Sequence, residues 1–309
     1  MNPIIKCGDP AVGSIEFNWH LTNWCNYKCS YCPVLTVITN NFKKDDHAES
    51  YKSVLERLST IDHPFKMCIT GGEPTLNPNI LEILEGLAKL DNCHQIAVMT
   101  NLSRSVAFYK SIDDLGNKYP MYDNSKIVIM ASYHPEYFND KFAEKAIELS
   151  KQIKRFQVSI NFSDKPKNWD NTVSVLEMLK SNNIKMKPTI LSKNSNYHPI
   201  YVPKFYETFK KYLEESPWVV EVDVEFQDGT KTRMKDYEIE QQKLHKFTGY
   251  MCTPIYYSID IAGQIKNICT NNTIVGSLTK DNLVKKLPCP KDTCLSRRLL
   301  TFYKEKYEI

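Results

Sequence analysis

The chain has 309 residues, 42% hydrophobic and 25% charged, with 40 basic against 36 acidic side chains for a net charge of +4. That balance is a globular one with a sizeable core; it excludes collagen-like and disordered classes, and no run approaches the ~18 apolar residues of a membrane span. The first 275 residues are charge-balanced and the surplus falls in the last 34, which argues against wrapping a long nucleic acid.

In chain order, the opening MNPIIKCGDPAVG has no basic-then-apolar signal peptide, so a cytoplasmic location is expected. Candidate strands follow at Ser14–Trp19, Lys66–Thr70, Gln95–Thr100, Lys126–Ser132, Phe156–Asn161, Lys185–Leu191 and Trp218–Gln227. Between them, Ala48–Ile61 places Val54, Leu55, Leu58 and Ile61 on one helical face, and Ile80–Leu90 does so with Ile80, Leu81, Leu84 and Leu87. Asn77 is the expected N-cap of the second helix and Pro78 its first residue. Lys141–Lys154, Asn171–Ser181 and Pro203–Glu215 are further helix candidates. Strands alternating with helices predict βαβ units and a parallel sheet. After residue 216 the rhythm changes: Val219–Gln227 alternates, Asp228-Gly229 signals a hairpin, and Asp236–Phe247 reads as a helix. From Met251 the chain is short strands, turns and cysteines.

The ten cysteines are not scattered. Cys25, Cys29 and Cys32 lie within eight residues, directly after the first expected strand. Cys252, Cys269, Cys289 and Cys294 fall in the last 58 residues, while Cys7, Cys68 and Cys93 stand apart as small core or surface thiols. Disulfides rarely persist in the cytosol, so both groups read as metal or cluster ligands. Three thiolates leave one coordination position open, the mark of a catalytic centre, and suit an iron–sulfur cluster or zinc; four make a closed set for either.

The spacing Cys25-x3-Cys29-x-Tyr31-Cys32 resembles the signature of the radical S-adenosylmethionine (SAM) enzymes, and Thr70-Gly71-Gly72-Glu73-Pro74 resembles their GGEP turn. The resemblance implies that the three thiolates hold a 4Fe–4S cluster whose fourth iron is chelated by SAM. An electron from that cluster then cleaves SAM to methionine and a 5′-deoxyadenosyl radical that abstracts hydrogen. Gly71, Gly72, Glu73 and Pro74 would support the methionine end, Tyr31 would offer its backbone to the adenine, and Asn101, Ser132 and Asn161 would line the remaining SAM contacts. His134, at an expected strand end on the same face, is the catalytic candidate, or simply a turn residue.

The run from Cys252 through Gly263 to Cys269 resembles the start of the auxiliary-cluster modules called twitch or SPASM domains, which implies a second 4Fe–4S cluster on the four late cysteines; zinc remains the alternative. The expected fold is α/β: a partial (β/α)6 barrel as radical SAM core over 1–215, a bridging hairpin and helix over 216–250, and a small cysteine-rich module over 251–309. The substrate class is a peptide or protein, or a small metabolite; with only 13 residues before the first expected strand, no separate N-terminal peptide-recognition domain is expected. The electron donor would be a flavodoxin or ferredoxin. A non-catalytic iron–sulfur carrier and a zinc-binding nucleic-acid module are the rival classes.

Overall fold

The computed structural model describes residues 3–9, 13–32, 50–122, 124–137, 140–163, 168–191, 219–269, 272–289 and 302–307, with 211, 212, 214, 216 and 294. The expected helix Pro203–Glu215 lies mostly outside the described residues. The first strand, β1 (Ile4–Cys7), precedes the expected start at Ser14 and joins a sheet built otherwise from residues beyond 220.

The main sheet begins at β2 (Ile15–His20) and continues through β3 (Phe65–Thr70), β4 (Cys93–Thr100), β5 (Ile127–Tyr133), β6 (Phe156–Ser163) and β7 (Met186–Leu191). These six lie side by side in chain order, every pair parallel. Helices α1 (Tyr51–Ser59), α2 (Ile80–Ala88), α3 (Val106–Lys118), α4 (Asp140–Gln152) and α5 (Trp169–Ser181) make the crossovers. This is the mixed α/β order that the alternation of patterns predicts. A sheet covered by crossover helices is buried, so β5 is apolar almost throughout, while β2 and β3 alternate, with Phe17, Trp19, Met67 and Ile69 in the core. All six strands end at one edge, where α/β sheets bind ligands.

Several expectations are corrected by local chemistry. Helix α3 adds to the expected elements: Val106, Phe108, Tyr109, Ile112 and Leu115 pack on the core but are interspersed with Lys110, Asp113, Asp114 and Asn117, and Ser105 caps it by accepting from the Phe108 amide. Helix α2 is capped at Asn79, not Asn77, because the Asn77 side chain closes an Asx turn by accepting from the Asn79 amide at 2.9 Å. Its buried face is Ile80, Ile83, Leu84 and Leu87, and Leu81 is exposed. The helix expected over Asp236–Phe247 stops at Gln241, ended by Lys243 in the left-handed region (φ 57°). Strand β6 runs two residues past Asn161.

The second sheet is antiparallel, in the order β14-β10-β15-β1-β8-β9. Strands β8 (Glu221–Phe226) and β9 (Lys231–Lys235) form the hairpin expected at Asp228-Gly229, with Gly229 at φ 83°. The others are β10 (Tyr250–Cys252), β14 (Leu287–Pro288) and β15 (Lys304–Lys306). Ile4, Cys7, Val222, Val224, Met234, Ile239, Phe247 and Tyr250 form its own core. The hairpin β11 (Tyr256–Ile259)–β12 (Ile265–Asn267) turns at Gly263, as expected, but adds to the main sheet: β11 lies parallel to β2. Strand β13 (Thr273–Ile274) pairs with β12 at the margin.

Lys126, just before β5, is buried and donates to the carbonyls of Ala88 (2.8 Å) and Leu90 (2.9 Å), closing the C-terminal end of α2. Lys126→Met should lower stability by about 1–3 kcal/mol in denaturant unfolding, the cost of leaving buried carbonyls unpaired.

Candidate functional site

The loop after β2 carries three thiols: Cys29 is buried, and Cys25 and Cys32 are half-buried. All ten cysteines are thiols rather than disulfides. Backbone bonds fasten this loop to the turn after β3: Leu21 N–H donates to the Thr70 carbonyl (2.9 Å), Gly72 N–H to Thr22 (2.6 Å) and Glu73 N–H to Trp24 (2.7 Å). The approach is too close for side chains. A Cβ on Gly71, which sits at φ +136°, would lie 2.5 Å from the Thr22 carbonyl oxygen, and one on Gly72 would overlap that of Trp24. The two stretches that the sequence singles out are thus one unit.

Glu73 is buried, and its carboxylate is turned into the protein. It accepts from the Thr75 amide (3.1 Å), the Thr75 hydroxyl (2.5 Å) and the Asn101 amide (2.7 Å). Burial pushes its pKa up, and these donors oppose the shift. Pro74 is buried in the 3₁₀ turn that follows. Asn101, first residue after β4, also donates its side-chain amide to Asn26 Oδ1 at 2.9 Å, so it ties the turn to the cysteine loop. Its Oδ1 accepts from the Ser103 amide rather than capping α3.

The segment after β5 closes the other side of the loop. Glu136 accepts from the Ser30 amide (2.6 Å) and hydroxyl (2.5 Å), the Tyr137 hydroxyl accepts from the Lys28 amide (2.5 Å), and the rings of Tyr27 and Tyr137 stack 4.0 Å apart. His134 Nδ1 lies 3.0 Å from the Tyr31 hydroxyl and 3.6 Å from Cys29 Sγ. Burial holds the imidazole neutral, pushing its pKa down to about 4. Tyr31, expected to contribute its backbone, has its side chain committed to this contact. Ser132 and Asn161 are buried within the last residues of β5 and β6, one and two positions before their ends, and the Asn161 side-chain amide donates to the Tyr133 carbonyl at 2.8 Å. Asn26, Glu136 and Tyr137 went unrecognised in the sequence; the signal for the last two was their place just after a strand end.

Burial pushes the thiol pKa of Cys25 up to about 11 and of Cys29 up to about 12. Metal binding must therefore displace protons from these groups. Among the described residues no three His, Cys, Asp or Glu side chains converge on a single-ion point. An iron–sulfur cluster takes one thiolate per iron atom, so its ligands need not meet, and three thiols on one short loop fit it.

The family model of the radical SAM superfamily matches residues 19–192, which include the loop, the GGEP turn and the ends of β2 to β7. The chain belongs to the radical SAM superfamily. Its members are enzymes, and membership implies a 4Fe–4S cluster and SAM. Among curated relatives, a GTP 3′,8-cyclase of Haemophilus ducreyi is 28% identical over 114 residues, 32% of this chain and 32% of the cyclase. An uncharacterized protein of Methanocaldococcus jannaschii, MJ0907, is 26% identical over 201 residues, 62% of this chain and 56% of that one. The chain thus spans about a third of the cyclase it matches. Among solved structures, native anSMEcpe with bound AdoMet has a TM-score of 0.54 at 16% identity, covering 88% of this chain and 80% of that chain, a likeness of fold.

The late cysteines also draw together. Cys252 ends β10, and its thiol lies within electrostatic reach of Cys269, Cys289 and Cys294; burial pushes its pKa up to about 12. The Cys289 amide donates to the Tyr250 carbonyl (2.7 Å) and that of Cys294 to His245 (3.0 Å), which fixes both beside β10. Cys7, set apart in the sequence, joins this group through β1 and interacts with Cys294.

Gly72→Ala should cost about 1–3 kcal/mol in unfolding free energy, as overpacking does, and should reduce the iron retained after anaerobic reconstitution. Gly13→Ala, whose Cβ would meet nothing within 4 Å, should change neither.

Proposed function

We propose that this chain reductively cleaves SAM and uses the resulting 5′-deoxyadenosyl radical to abstract hydrogen from a substrate C–H bond. The observation that carries the reading is the backbone union of the three-cysteine loop with the GGEP turn at the ligand-binding edge of the parallel sheet. Cys25, Cys29 and Cys32 would hold the cluster and leave one iron for SAM. When bound, the cluster supplies one electron to SAM, whose S–C5′ bond breaks homolytically to give methionine and the radical.

The protein's own part is placement. Gly71 and Gly72 bring the turn's backbone against the loop, where its carbonyls would receive the methionine amino group. With its carboxylate occupied by Thr75 and Asn101, Glu73 acts as the buttress of that turn. Ser132 and Asn161 would line the ribose side, and the Tyr31 backbone the adenine side. His134 is a positioning residue, because its Nδ1 faces Tyr31 and Cys29. We read the six-stranded parallel run as a partial (β/α)6 barrel. The segment from 251 onward, with β1 and the 216–250 bridge, is read as a twitch-like module whose Cys252, Cys269, Cys289 and Cys294 hold an auxiliary 4Fe–4S cluster. No described helix is long and apolar enough to cross a membrane. The proposed setting is the cytoplasm, with a flavodoxin or ferredoxin as donor and a peptide, protein or small metabolite as substrate.

Anaerobically reconstituted protein given SAM and a strong reductant should form 5′-deoxyadenosine, and Cys29→Ala should abolish it. Iron-loaded wild type that forms none with any substrate class would refute the reading in favour of an iron–sulfur carrier.

A further inference from the structure

Strand β15 reads Lys304-Glu305-Lys306, a sequence suited to an exposed edge. It lies instead in the middle of the second sheet, between β10 and β1. Lys304 stands directly opposite Cys252 on one neighbour and Cys7 on the other. Directly opposed residues of antiparallel strands project from the same face, with Cβ atoms about 4.5–5.5 Å apart. Cys252, Lys304 and Cys7 therefore form one row across three strands. Lys304 is 1% exposed and Cys7 is fully buried. The Lys304 ammonium donates to the Phe302 carbonyl at 2.8 Å and lies 5.0 Å from the centre of the Phe247 ring. The alternate residues of the same strands face outward, where Glu305 pairs with Lys286 and Lys6 with Glu225.

We propose that Lys304 is the resident counter-cation of the C-terminal thiol site, holding one fixed positive charge between Cys252 and Cys7 to stabilise the negative charge of a cluster bound there. This rests on the reading that the four late cysteines hold an auxiliary iron–sulfur cluster. An ammonium is costly to bury unless anionic groups face it, and a set of thiolates is costly to bury without a cation. The two needs are met by one register. Pairing on both sides fixes the Lys304 backbone, and burial with the bond to the Phe302 carbonyl holds its ammonium on this face. Net charge and solvent exposure, together with cluster type and hydrogen bonds to the sulfurs, set a cluster's reduction potential. The reduced cluster carries one more negative charge than the oxidised one, so a fixed cation nearby favours reduction.

The test uses the full chain with Cys25, Cys29 and Cys32 changed to Ala, reconstituted anaerobically with iron and sulfide, so that any remaining cluster is the C-terminal one. Its midpoint potential is read by redox titration followed by electron paramagnetic resonance, alongside Lys304→Met and Lys304→Arg in the same background. The Met variant should shift toward more negative potential by a tenfold or greater change in the reduction equilibrium, about 59 mV for a one-electron couple. The Arg variant should stay near the parent. Loss of iron in the Met variant with retention in the Arg variant would equally support the counter-cation. An unchanged potential in an iron-loaded Met variant would overturn the inference, as would loss of iron from both, which would mark a packing requirement. A parent that binds no iron, or zinc alone, would overturn the auxiliary-cluster reading itself and this inference with it.

Discussion

The structure depends on one steric condition: backbone must meet backbone between the cysteine loop and the turn after β3. The Gly72 and Glu73 amides donate to the Thr22 and Trp24 carbonyls across a gap that admits no Cβ at either glycine. Because the turn grows from β3 and the loop from β2, their mutual position is inherited from the parallel register, in which His20 lies opposite Thr70. The sheet thus sets where the thiols stand, and the glycines let the second loop be held by the first. Around this joint the next two strand ends add braces: Asn101 from β4 to both stretches, and Glu136 and Tyr137 after β5 to the far side of the loop. The buried Glu73 carboxylate is affordable only because three donors converge on it.

Much of this was legible in the residues because it is local. The βαβ alternation, the six parallel strands and the hairpin at Asp228-Gly229 follow from periodicity and turn chemistry that a short window contains. The triplet of cysteines and the GGEP turn announce themselves by spacing. What escaped was whatever depends on distant partners. Strand β1 offers only Ile4–Cys7, and its pairing with β8 and β15 has no local sign. Helix α3 hides its stripe behind Lys, Asp and Asn. The Asn77 side chain could cap a helix or close a turn, and only the turn preceding α2 decides between them. His134 reads from the sequence as a catalytic candidate or a turn residue, and its contacts with Tyr31 and Cys29 come from a loop more than 100 residues away.

The late cysteines show how the two sheets are joined. Cys252 ends β10 in the antiparallel sheet, while Cys269 follows β12 in the hairpin laid along β2. The thiol group therefore draws on both sheets. On the core side Arg57 of α1 donates to the Gly263 carbonyl at 2.9 Å, holding the hairpin turn in place. The neighbour of β11 is the strand that runs directly into the first cysteine loop. A path of paired backbone thus runs from Cys269 through β12, β11 and β2 to the first cysteine loop.

The position of β1 also governs the order in which the molecule can be assembled. It is made among the first residues, yet its partners lie at 221–226 and 304–306. Closing so long a loop is entropically slow, and pairings of high sequence separation form late. During synthesis the α/β body can fold before both partners of Ile4–Cys7 have been made. The antiparallel sheet can close around β1 only once β15 has been made. The first loop and its turn, by contrast, can meet as soon as β3 has docked on β2.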